Sequence, residues 1–368
     1  MTPRSTALLS QLTALPTAPF AEKAVADFAR QFAAARPRLR LREDPSGNLL
    51  IECAGRGGRR SPRWVFCAHM DHPGFVAGRM IDRTTLRARF HGGVLAEYLD
   101  GAKVRFFDAE GEALGVVREV KRKADSPWPS EATLRVNRTV APDSPGMFDL
   151  GVGRTKSGLF HCRVCDDLAG AAACLAMLDD LARSPAQATV AVLLTRAEED
   201  GFVGALAAVA DGRLIRRTDR LIVIETSAAQ PHAPQGKGPI IRVGDKTSIF
   251  NSALTWFLTH QAERIARTDK RFAFQRALMP GGTCEATVYD LFGYLAGSIC
   301  IALGNYHNMD RQKKRLAAET VHLADWRAMV RLFLETARNA HRFDPERGEL
   351  KARLNKRFVA FAPLLHRR

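Results

Sequence analysis

Five residues of metal-ligand type place the main constraint on this sequence, because most of them follow apolar runs that are typical of β-strands. The five are His69, Asp166, Glu199, Glu225 and His307. His69 follows the run 64–68, and Glu225 follows the aliphatic run 221–224. Ligands and catalytic groups in open parallel sheets gather beyond the carboxyl ends of the strands. The pattern therefore predicts an α/β fold with these side chains at one edge of a sheet.

The apolar pattern divides the 368 residues into three parts. Alternating helical and strand-like segments in 1–72 and 162–345 predict a discontinuous catalytic domain, a doubly wound mixed sheet flanked by helices. Between them, short β-type runs separated by glycine turns predict an inserted small β-barrel or sandwich over 73–161. The basic extension 346–368 carries apolar residues among Lys and Arg, and we interpret it as a docking helix or an oligomer contact.

Composition and charge exclude several functions. The net charge is +16, but the basic residues are scattered and not interleaved with aromatics, so no specific nucleic-acid partner is expected. No run reaches the roughly 18 apolar residues of a membrane span. Pro363 interrupts the amphipathic C-terminal stretch, so no membrane partner is expected. The N-terminus lacks a signal-peptide block, and seven cysteines without framework spacing favour reduced thiols; both features predict a cytoplasmic location.

The acidic block 198–200 is the most specific chemical signal. Three adjacent acids after an apolar strand repel one another unless a cation compensates for them. Two histidines and three carboxylates can hold two borderline divalent ions that share one carboxylate. One glutamate of the block would bind metal while its neighbour acts as general base on an activated water. Gly201 and Gly204 predict tight packing at the start of the next helix. The block therefore predicts a two-metal hydrolase.

Each of the other site residues also has a purely structural interpretation. Asp71 can accept the second ring N–H of His69 and fix its tautomer, although an isolated His-x-Asp is usually a surface feature. Asp166 stands where a helix N-cap is favoured, and a single histidine after a strand, such as His307, is usually structural. Glu225 ends an aliphatic strand, where its charge needs a partner. All of these candidate residues occur together in a single order along the chain, which favours the functional interpretation over the structural one.

This order of motifs resembles that of the M42 metallo-aminopeptidases, a family of the di-zinc exopeptidase clan related to the M20 and M28 peptidases. The shared pieces are His-x-Asp, a long β insertion, Asp-Asp-x-x-Gly, Glu-Glu-x-Gly-x-x-Gly-Ala, a strand-end Glu, Gly-Gly-Thr and Tyr-His. The resemblance extends to about residue 340. It implies a zinc-exopeptidase-like fold, removal of N-terminal residues from peptide substrates, and a homo-oligomer, commonly a dodecamer, in whose assembly the insertion takes part.

The resemblance also assigns roles to the candidate residues. Each of two metal ions is expected on one histidine and one glutamate, with an aspartate shared between them. The expected ligands are His69 and Glu225 for one ion, Glu199 and His307 for the other, and Asp166 as the bridge. Glu198 is the expected general base, and Asp71 is expected to orient His69. Zinc is the expected ion, and cobalt or manganese are alternatives.

Three positions depart from the family pattern. Glu225 stands where Asp is usual, His72-Pro73 stands where an acid is common, and Cys284-Glu285 replaces an Asp followed by Ala. The last departure lies near the substrate end in relatives, so substrate preference is not inherited. Two rival functions stay open: a deacylase or carboxypeptidase of the same clan, and an inactive scaffold. The position of the insertion favours the aminopeptidase, and the complete ligand set with its base speaks against the scaffold.

Overall fold

The computed structural model describes residues 3–57 and 62–365. Residues 1–2, 58–61 and 366–368 of the predicted domain division therefore lie outside the described residues. The helices are α1 (Pro3–Thr13), α2 (Lys23–Ala34), α3 (Leu168–Arg183), α4 (Val203–Asp211), α5 (Ser252–Thr268), α6 (Glu285–Leu291), α7 (Leu323–Asn339) and α8 (Phe343–Leu365).

The strands fall into two groups along the chain. Those before α3 are β1 (Leu39–Glu43), β2 (Leu49–Cys53), β3 (Trp64–His69), β4 (Gly74–Met80), β5 (Thr85–His91), β6 (Lys103–Asp108), β7 (Gly111–Arg122), β8 (Pro129–Val136), β9 (Pro145–Phe148), β10 (Arg154–Lys156) and β11 (Leu159–Cys162). Those after α3 are β12 (Val190–Thr195), β13 (Arg220–Ala228), β14 (Ile240–Gly244), β15 (Gln275–Leu278), β16 (Leu295–Gly304), β17 (Met309–Asp310), β18 (Arg315–Leu316) and β19 (Glu319–His322).

One large mixed sheet carries the predicted ligands. Its strand order is β1-β2-β12-β3-β13-β16-β19-β11-β10, and β14 and β15 join it beside β16. The central strands β12, β3, β13 and β16 run parallel, so their carboxyl ends meet at one edge. Every residue of β3 and β12 is buried, as expected when helices cover both faces of a parallel sheet. The predicted doubly wound mixed sheet is confirmed.

Alternating side chains of β3 show how the two faces are covered. Phe66 faces the ring of Phe333 in α7 at a centroid distance of 5.2 Å, and Trp64 faces Phe257 in α5 at 5.3 Å. Val65 and Cys67 point the other way, into a separate cluster with residues of α4 and α6. This period of two buries every side chain of the strand, which fixes the direction and position of its carboxyl end.

The insertion forms a closed six-stranded barrel, in the order β4-β5-β8-β7-β6-β9, which confirms the barrel prediction. Its centre holds four phenylalanine rings at centroid distances of 4.9 to 6.3 Å: Phe75, Phe90, Phe106 and Phe148. The barrel strands span 74–148. The following strands β10 and β11 pair in the large sheet, where β11 lies against β19, although the predicted division assigns them to the insertion. The division into domains stays a prediction.

The last described element is one helix, α8, which begins before the predicted extension. Phe343 packs against Trp64 at 5.6 Å, and Phe343 and Glu346 are the buried residues of this helix. Beyond residue 350 its described side chains are almost all exposed. Among the described residues, no helix combines the length and apolar character that crossing a bilayer requires. The seven cysteines all lie in described ranges, and all are buried and unpaired.

Candidate metal centre

The carboxyl edge of the large sheet gathers the predicted ligands. His69 is the last residue of β3, and Glu225 lies near the end of β13. Glu199 and His307 lie in single 3₁₀ turns that follow β12 and β16. Asp166 lies between β11 and α3. The parallel neighbours in the sheet therefore bring these five side chains together, although they are up to 238 residues apart.

The carboxylate of Asp166 lies between the two histidines. The Nε2 atom of His69 is 3.5 Å from Oδ1 of Asp166, and the Nε2 atom of His307 is 3.7 Å from Oδ2. Each carboxylate oxygen thus faces one imidazole. This is the arrangement that a carboxylate shared by two cations requires.

Glutamates complete the cluster on both sides of Asp166. On one side, the ligand atoms of His69, Glu198 and Glu225 lie within 4.8 Å of one another. On the other side, Nε2 of His307 is 3.1 Å from Oε1 of Glu199. All five predicted ligands and the predicted base Glu198 are therefore in one cluster.

Several ligand atoms in this cluster are buried without a protein partner. Asp166 Oδ1, Glu225 Oε1 and His307 Nε2 have no hydrogen-bond partner among the described residues. A buried polar atom left without a partner costs roughly 1–3 kcal/mol. Imidazole nitrogens and carboxylate oxygens are the donors that zinc and similar divalent ions accept. The residues present therefore fit metal ions.

The electrostatics of the cluster also favour a cation. Burial, together with neighbouring acids, raises the pKa of Glu225 to about 8 and raises that of Glu198 well above its usual range. Burial opposes the charge of His307, but Glu199 and Asp166 outweigh it and raise its pKa to about 9. Without a cation, the cluster thus limits its net negative charge by binding protons. A divalent ion stabilises ionised carboxylates and neutral imidazoles instead.

Asp71 holds the acidic turn in place. Its two carboxylate oxygens accept hydrogen bonds from the backbone N–H groups of Glu198 at 3.0 Å and Glu199 at 3.1 Å. The turn starts at Ala197, which has a left-handed backbone with φ of 47° and donates its N–H to Glu22 at 3.0 Å. Asp71 Oδ1 lies 3.5 Å from His69 Nδ1, so it also faces the imidazole that it is predicted to orient.

Glu319 is a functional-site residue that the sequence reasoning missed. It is fully buried at the start of β19. Its Oε2 accepts hydrogen bonds from the backbone N–H groups of Cys165 at 2.7 Å and Asp166 at 3.1 Å. Its Oε1 accepts the N–H of His307 at 2.9 Å. One carboxylate therefore fixes the backbone of the shared aspartate relative to that of the second histidine.

The turn that carries His307 has a strained backbone. Asn305, His307 and Asn308 all have positive φ, between 54° and 61°, and such left-handed residues cost roughly 1–3 kcal/mol each. The side-chain amide of Asn308 donates to the backbone carbonyl of Arg163 at 2.9 Å. The Nδ1 atom of His307 lies 2.8 Å from the carbonyl oxygen of Gly93 in the barrel segment. That contact leaves Nε2 of His307 available to accept a cation.

His72, one of the departures from the family pattern, contacts the same region. Its Nδ1 lies 2.8 Å from the carbonyl oxygen of Asp166, and its Nε2 lies 3.0 Å from Oδ1 of Asn308. This imidazole thus connects the segment that follows β3 with both ligand-bearing turns.

Two other acids lie near the cluster. Asp167 occupies the N-cap position of α3 without a side-chain capping hydrogen bond, so capping does not explain its burial. Burial raises its pKa well above the usual range. Glu285 is buried in the first turn of α6, and burial raises its pKa to about 7.

A pocket opens beside Glu225. Its other lining residues include Arg242, Gly281, Gly282 and Tyr306. The ring of Tyr306 stacks on that of His307 at a centroid distance of 3.7 Å, so the pocket adjoins both halves of the cluster. A substrate group in this pocket would therefore lie next to the ligands.

The sheet, its inserted barrel and the buried cluster of imidazoles and carboxylates define an α/β hydrolytic enzyme with groups that can hold metal ions. The sequence profile of the M42 glutamyl aminopeptidase family matches residues 47–332. The chain belongs to this family, as its motifs predict, and is a hydrolase of peptide bonds. A comparison with curated proteins found no match.

Solved structures share this fold over nearly the whole chain. The TET1 peptidase of Pyrococcus horikoshii, which can assemble into a tetrahedron or a large octahedral shell, has a TM-score of 0.75 at 22% identity, covering 90% of this chain and 99% of its own. A dodecamer structure of PhTET1-12s has a TM-score of 0.74 at 22% identity, covering 92% and 99%. The aminopeptidase APDkam598 of the archaeon Desulfurococcus kamchatkensis has a TM-score of 0.74 at 22% identity, covering 91% and 94%. At this identity the likeness establishes the fold.

The glycines of the acidic motif give a paired prediction about stability. A Cβ on Gly204 would lie 2.3 Å from the carbonyl oxygen of Arg196, whereas a Cβ on Gly201 would meet nothing within 4 Å. Gly201→Ala should cost about 1–2 kcal/mol, through its left-handed backbone alone. Gly204→Ala should cost more, about 2–3 kcal/mol, because the backbone of Arg196 would have to move to make room for the new methyl group. Urea unfolding of both variants measures the difference, and equal losses would contradict the packing argument.

Replacing Glu319 by Gln should weaken metal binding by about 10- to 100-fold, as losses in the shell around metal ligands typically do. The reason is that glutamine replaces one acceptor oxygen by an NH₂ donor. That donor would face backbone N–H groups, which are themselves donors. Zinc affinity, measured by competition with a chromogenic chelator, checks this. Asp325→Asn is the matched control, because this buried carboxylate accepts the N–H groups of Gly236 and Gly238 outside the cluster. An equal loss of affinity in both variants would show that the effect of Glu319 is not specific.

Proposed function

We propose that the chain is a di-metal aminopeptidase that removes N-terminal residues from peptides. The observation that carries the proposal is the position of the Asp166 carboxylate, with one oxygen facing His69 and the other facing His307. Membership of the M42 family supports the reaction class. Zinc is the proposed ion, since the donor set consists of imidazole and carboxylate groups.

The ligands divide into two sets. We assign His69 and Glu225 to one ion, Glu199 and His307 to the other, and Asp166 to both. The 3.1 Å approach of His307 to Glu199 supports the second set, and the place of Asp166 between the two histidines supports its sharing; His69 itself lies within reach of both Glu225 and Glu199. When bound, the two ions would supply Lewis acidity, which polarises the scissile carbonyl and acidifies a water molecule.

Glu198 is the proposed general base. Its carboxylate is buried beside His69 and Glu225, and Asp71 holds its backbone N–H. A carboxylate oxygen of Glu198 takes the proton of the attacking water and then delivers it to the leaving amine. Burial raises the affinity of this carboxylate for a proton, which suits a group that must accept one and release it in the same turnover.

The proposal extends to assembly and location. Homo-oligomerisation is supported by similar structures, which include a dodecamer and a peptidase that can assemble into a tetrahedron or an octahedral shell. A cytoplasmic location is supported by the seven unpaired cysteines. Basic residues scattered over the sequence give no reason to include a nucleic-acid partner.

Hydrolysis of aminoacyl p-nitroanilides, each paired with its N-acetylated counterpart, tests the function. We expect the metal-loaded protein to cleave only the free-amine members, and dialysis against a chelator to abolish cleavage until zinc or cobalt is restored. Cleavage confined to the acetylated members would identify a deacylase instead. Metal-loaded protein that cleaves neither series would favour the scaffold interpretation.

The variant Glu198→Gln should lose at least about 100-fold in kcat, because general acid–base groups typically contribute 10²- to 10⁴-fold. Its zinc content, measured by atomic emission, should match that of the unchanged protein, since Glu198 is not assigned as a ligand. Glu199→Gln is the contrasting variant and should lose metal as well as activity. Full turnover in Glu198→Gln would refute the assigned base.

A further inference from the structure

The second half of α8 is exposed to solvent on every side. Phe343 and Glu346, at the start of the helix, are its buried residues. From residue 351 to residue 365, every side chain except that of Ala362 is exposed. A helix of this length owes most of its stability to the packing of an apolar face and little to intrinsic propensity. An apolar face on this part of α8 therefore needs a partner.

Such a face is present as an apolar stripe along one side of the helix. Leu354, Phe358, Phe361 and Leu365 follow one another at intervals of four, three and four residues. At about 100° per residue, this spacing places them on one side of a helix. The four residues are 57% to 77% exposed. Val359 is 72% exposed but lies about 130° around the helix from the middle of the stripe.

The charges around the apolar stripe all have one sign. Lys351 and Arg357 border it on its two sides, and Arg353 and Lys356 lie further around the helix. The sequence has no Asp or Glu from 350 to 365. Two copies of this segment would bring only like charges together, which disfavours pairing with the same helix of a second copy. The segment instead complements an apolar surface whose edge is negatively charged.

A bilayer that contains anionic lipids is such a surface. Its headgroups carry negative charge, and its hydrocarbon lies directly beneath them. A helix with apolar side chains on one face and Lys or Arg beside them lies in the plane of this interface and does not cross the bilayer. Nucleic acid would match the basic side chains, since phosphates dominate its binding, but it would leave the apolar stripe uncovered.

Pro363 does not end the helix. On sequence alone, this proline predicts an interrupted stretch and hence no membrane partner. In the structure, α8 continues past Pro363 to Leu365. Leu354, Phe358 and Phe361 also precede the proline, so most of the apolar stripe lies on the uninterrupted part of the helix. The reason for excluding a membrane partner therefore does not hold for the folded chain.

We propose that α8 is a peripheral anchor whose apolar stripe binds the surface of an anionic lipid bilayer. In the bound state the stripe enters the acyl boundary, while Lys351 and Arg357 extend their charged ends to the headgroups. The family profile matches residues 47–332, so α8 lies beyond the matched part of the chain. The proposal does not depend on the aminopeptidase function, because none of the assigned metal ligands lies on α8.

Vesicle flotation of the unchanged, zinc-loaded protein tests the proposal. One set of vesicles consists of phosphatidylcholine, and the other also contains about 30% phosphatidylglycerol, which makes its surface negative. At low salt we expect the apparent affinity for the anionic vesicles to be at least about 10-fold higher than for the neutral ones. The difference should shrink in about 0.5 M NaCl, because salt screens exposed charges.

Removal of apolar side chains tests the stripe. Phe358→Ala combined with Phe361→Ala should weaken binding to anionic vesicles by roughly 10- to 100-fold, because two large apolar side chains no longer leave water. Val359→Ala is the matched control, since this residue is equally exposed but lies on another side of the helix. It should change the affinity by less than about threefold. Equal losses in the two variants would show that binding does not use the stripe.

Removal of positive charge tests the flanks. Arg353→Gln combined with Arg357→Gln should weaken binding by about 10-fold or more, since each cation near an anionic surface adds to the attraction. Arg40→Gln combined with Arg118→Gln is the matched control, because it removes the same net charge from exposed positions in β1 and β7. If both pairs weaken binding equally, the overall charge of the protein is responsible and α8 is not the anchor.

Truncation after Leu350 separates a membrane anchor from an oligomer contact. The shortened chain keeps Phe343 and Glu346 and should retain its melting temperature and any hydrolysis of aminoacyl p-nitroanilides, while vesicle binding is lost. Vesicle binding that survives truncation, or that is equal for neutral and anionic vesicles, overturns the proposal. Absence of vesicle binding by the unchanged protein, with a smaller assembly in sedimentation velocity after truncation, would identify an oligomer contact instead. Lack of peptidase activity would overturn only the aminopeptidase function.

Discussion

The structure depends on the burial of several acids of like charge at one edge of a sheet. Asp166, Glu198 and Glu225 are each at most 8% exposed, and they face one another where water cannot screen them. In a medium of low effective dielectric, this repulsion is far stronger than it would be at the surface. Two imidazoles offset part of it, while burial together with the neighbouring acids still raises the pKa of Glu225. The cluster is therefore arranged for cations.

Repelling groups stay together because other acids hold their backbones. Asp71 accepts the N–H groups of the acidic turn, and Glu319 accepts those of Asp166 and His307. Hydrogen bonds from backbone N–H groups to carboxylate oxygens are among the stronger ones, and they fix position without occupying the ligand atoms. The barrel contributes in the same way through the carbonyl of Gly93. Ligand geometry thus follows from backbone contacts between segments that are far apart in the sequence.

The sequence predicted the ligands and Asp71 but not Glu319, for a physical reason. Apolar runs locate strand ends, and parallel pairing brings those ends together, so His69 and Glu225 could be recognised from local pattern. Glu319 acts on Asp166, which is 153 residues earlier, and nothing in its own neighbourhood marks that contact. Similarly, β10 and β11 resemble the short strands of the barrel, and only the pairing of β11 with β19 places this hairpin in the large sheet.

The ligand cluster and the pocket beside it are held by different kinds of contact. The ligands lie at strand ends that neighbouring strands and buried carboxylates hold, so a change at one ligand disturbs the whole cluster. Arg242 is a single side chain within β14, and the backbone of that strand is held by pairing with β15 and β16. Its replacement leaves the ligands and their supports in place. The lining of the pocket beside the cluster can therefore change while the cluster is kept, so a shared fold at 22% identity does not determine the substrate.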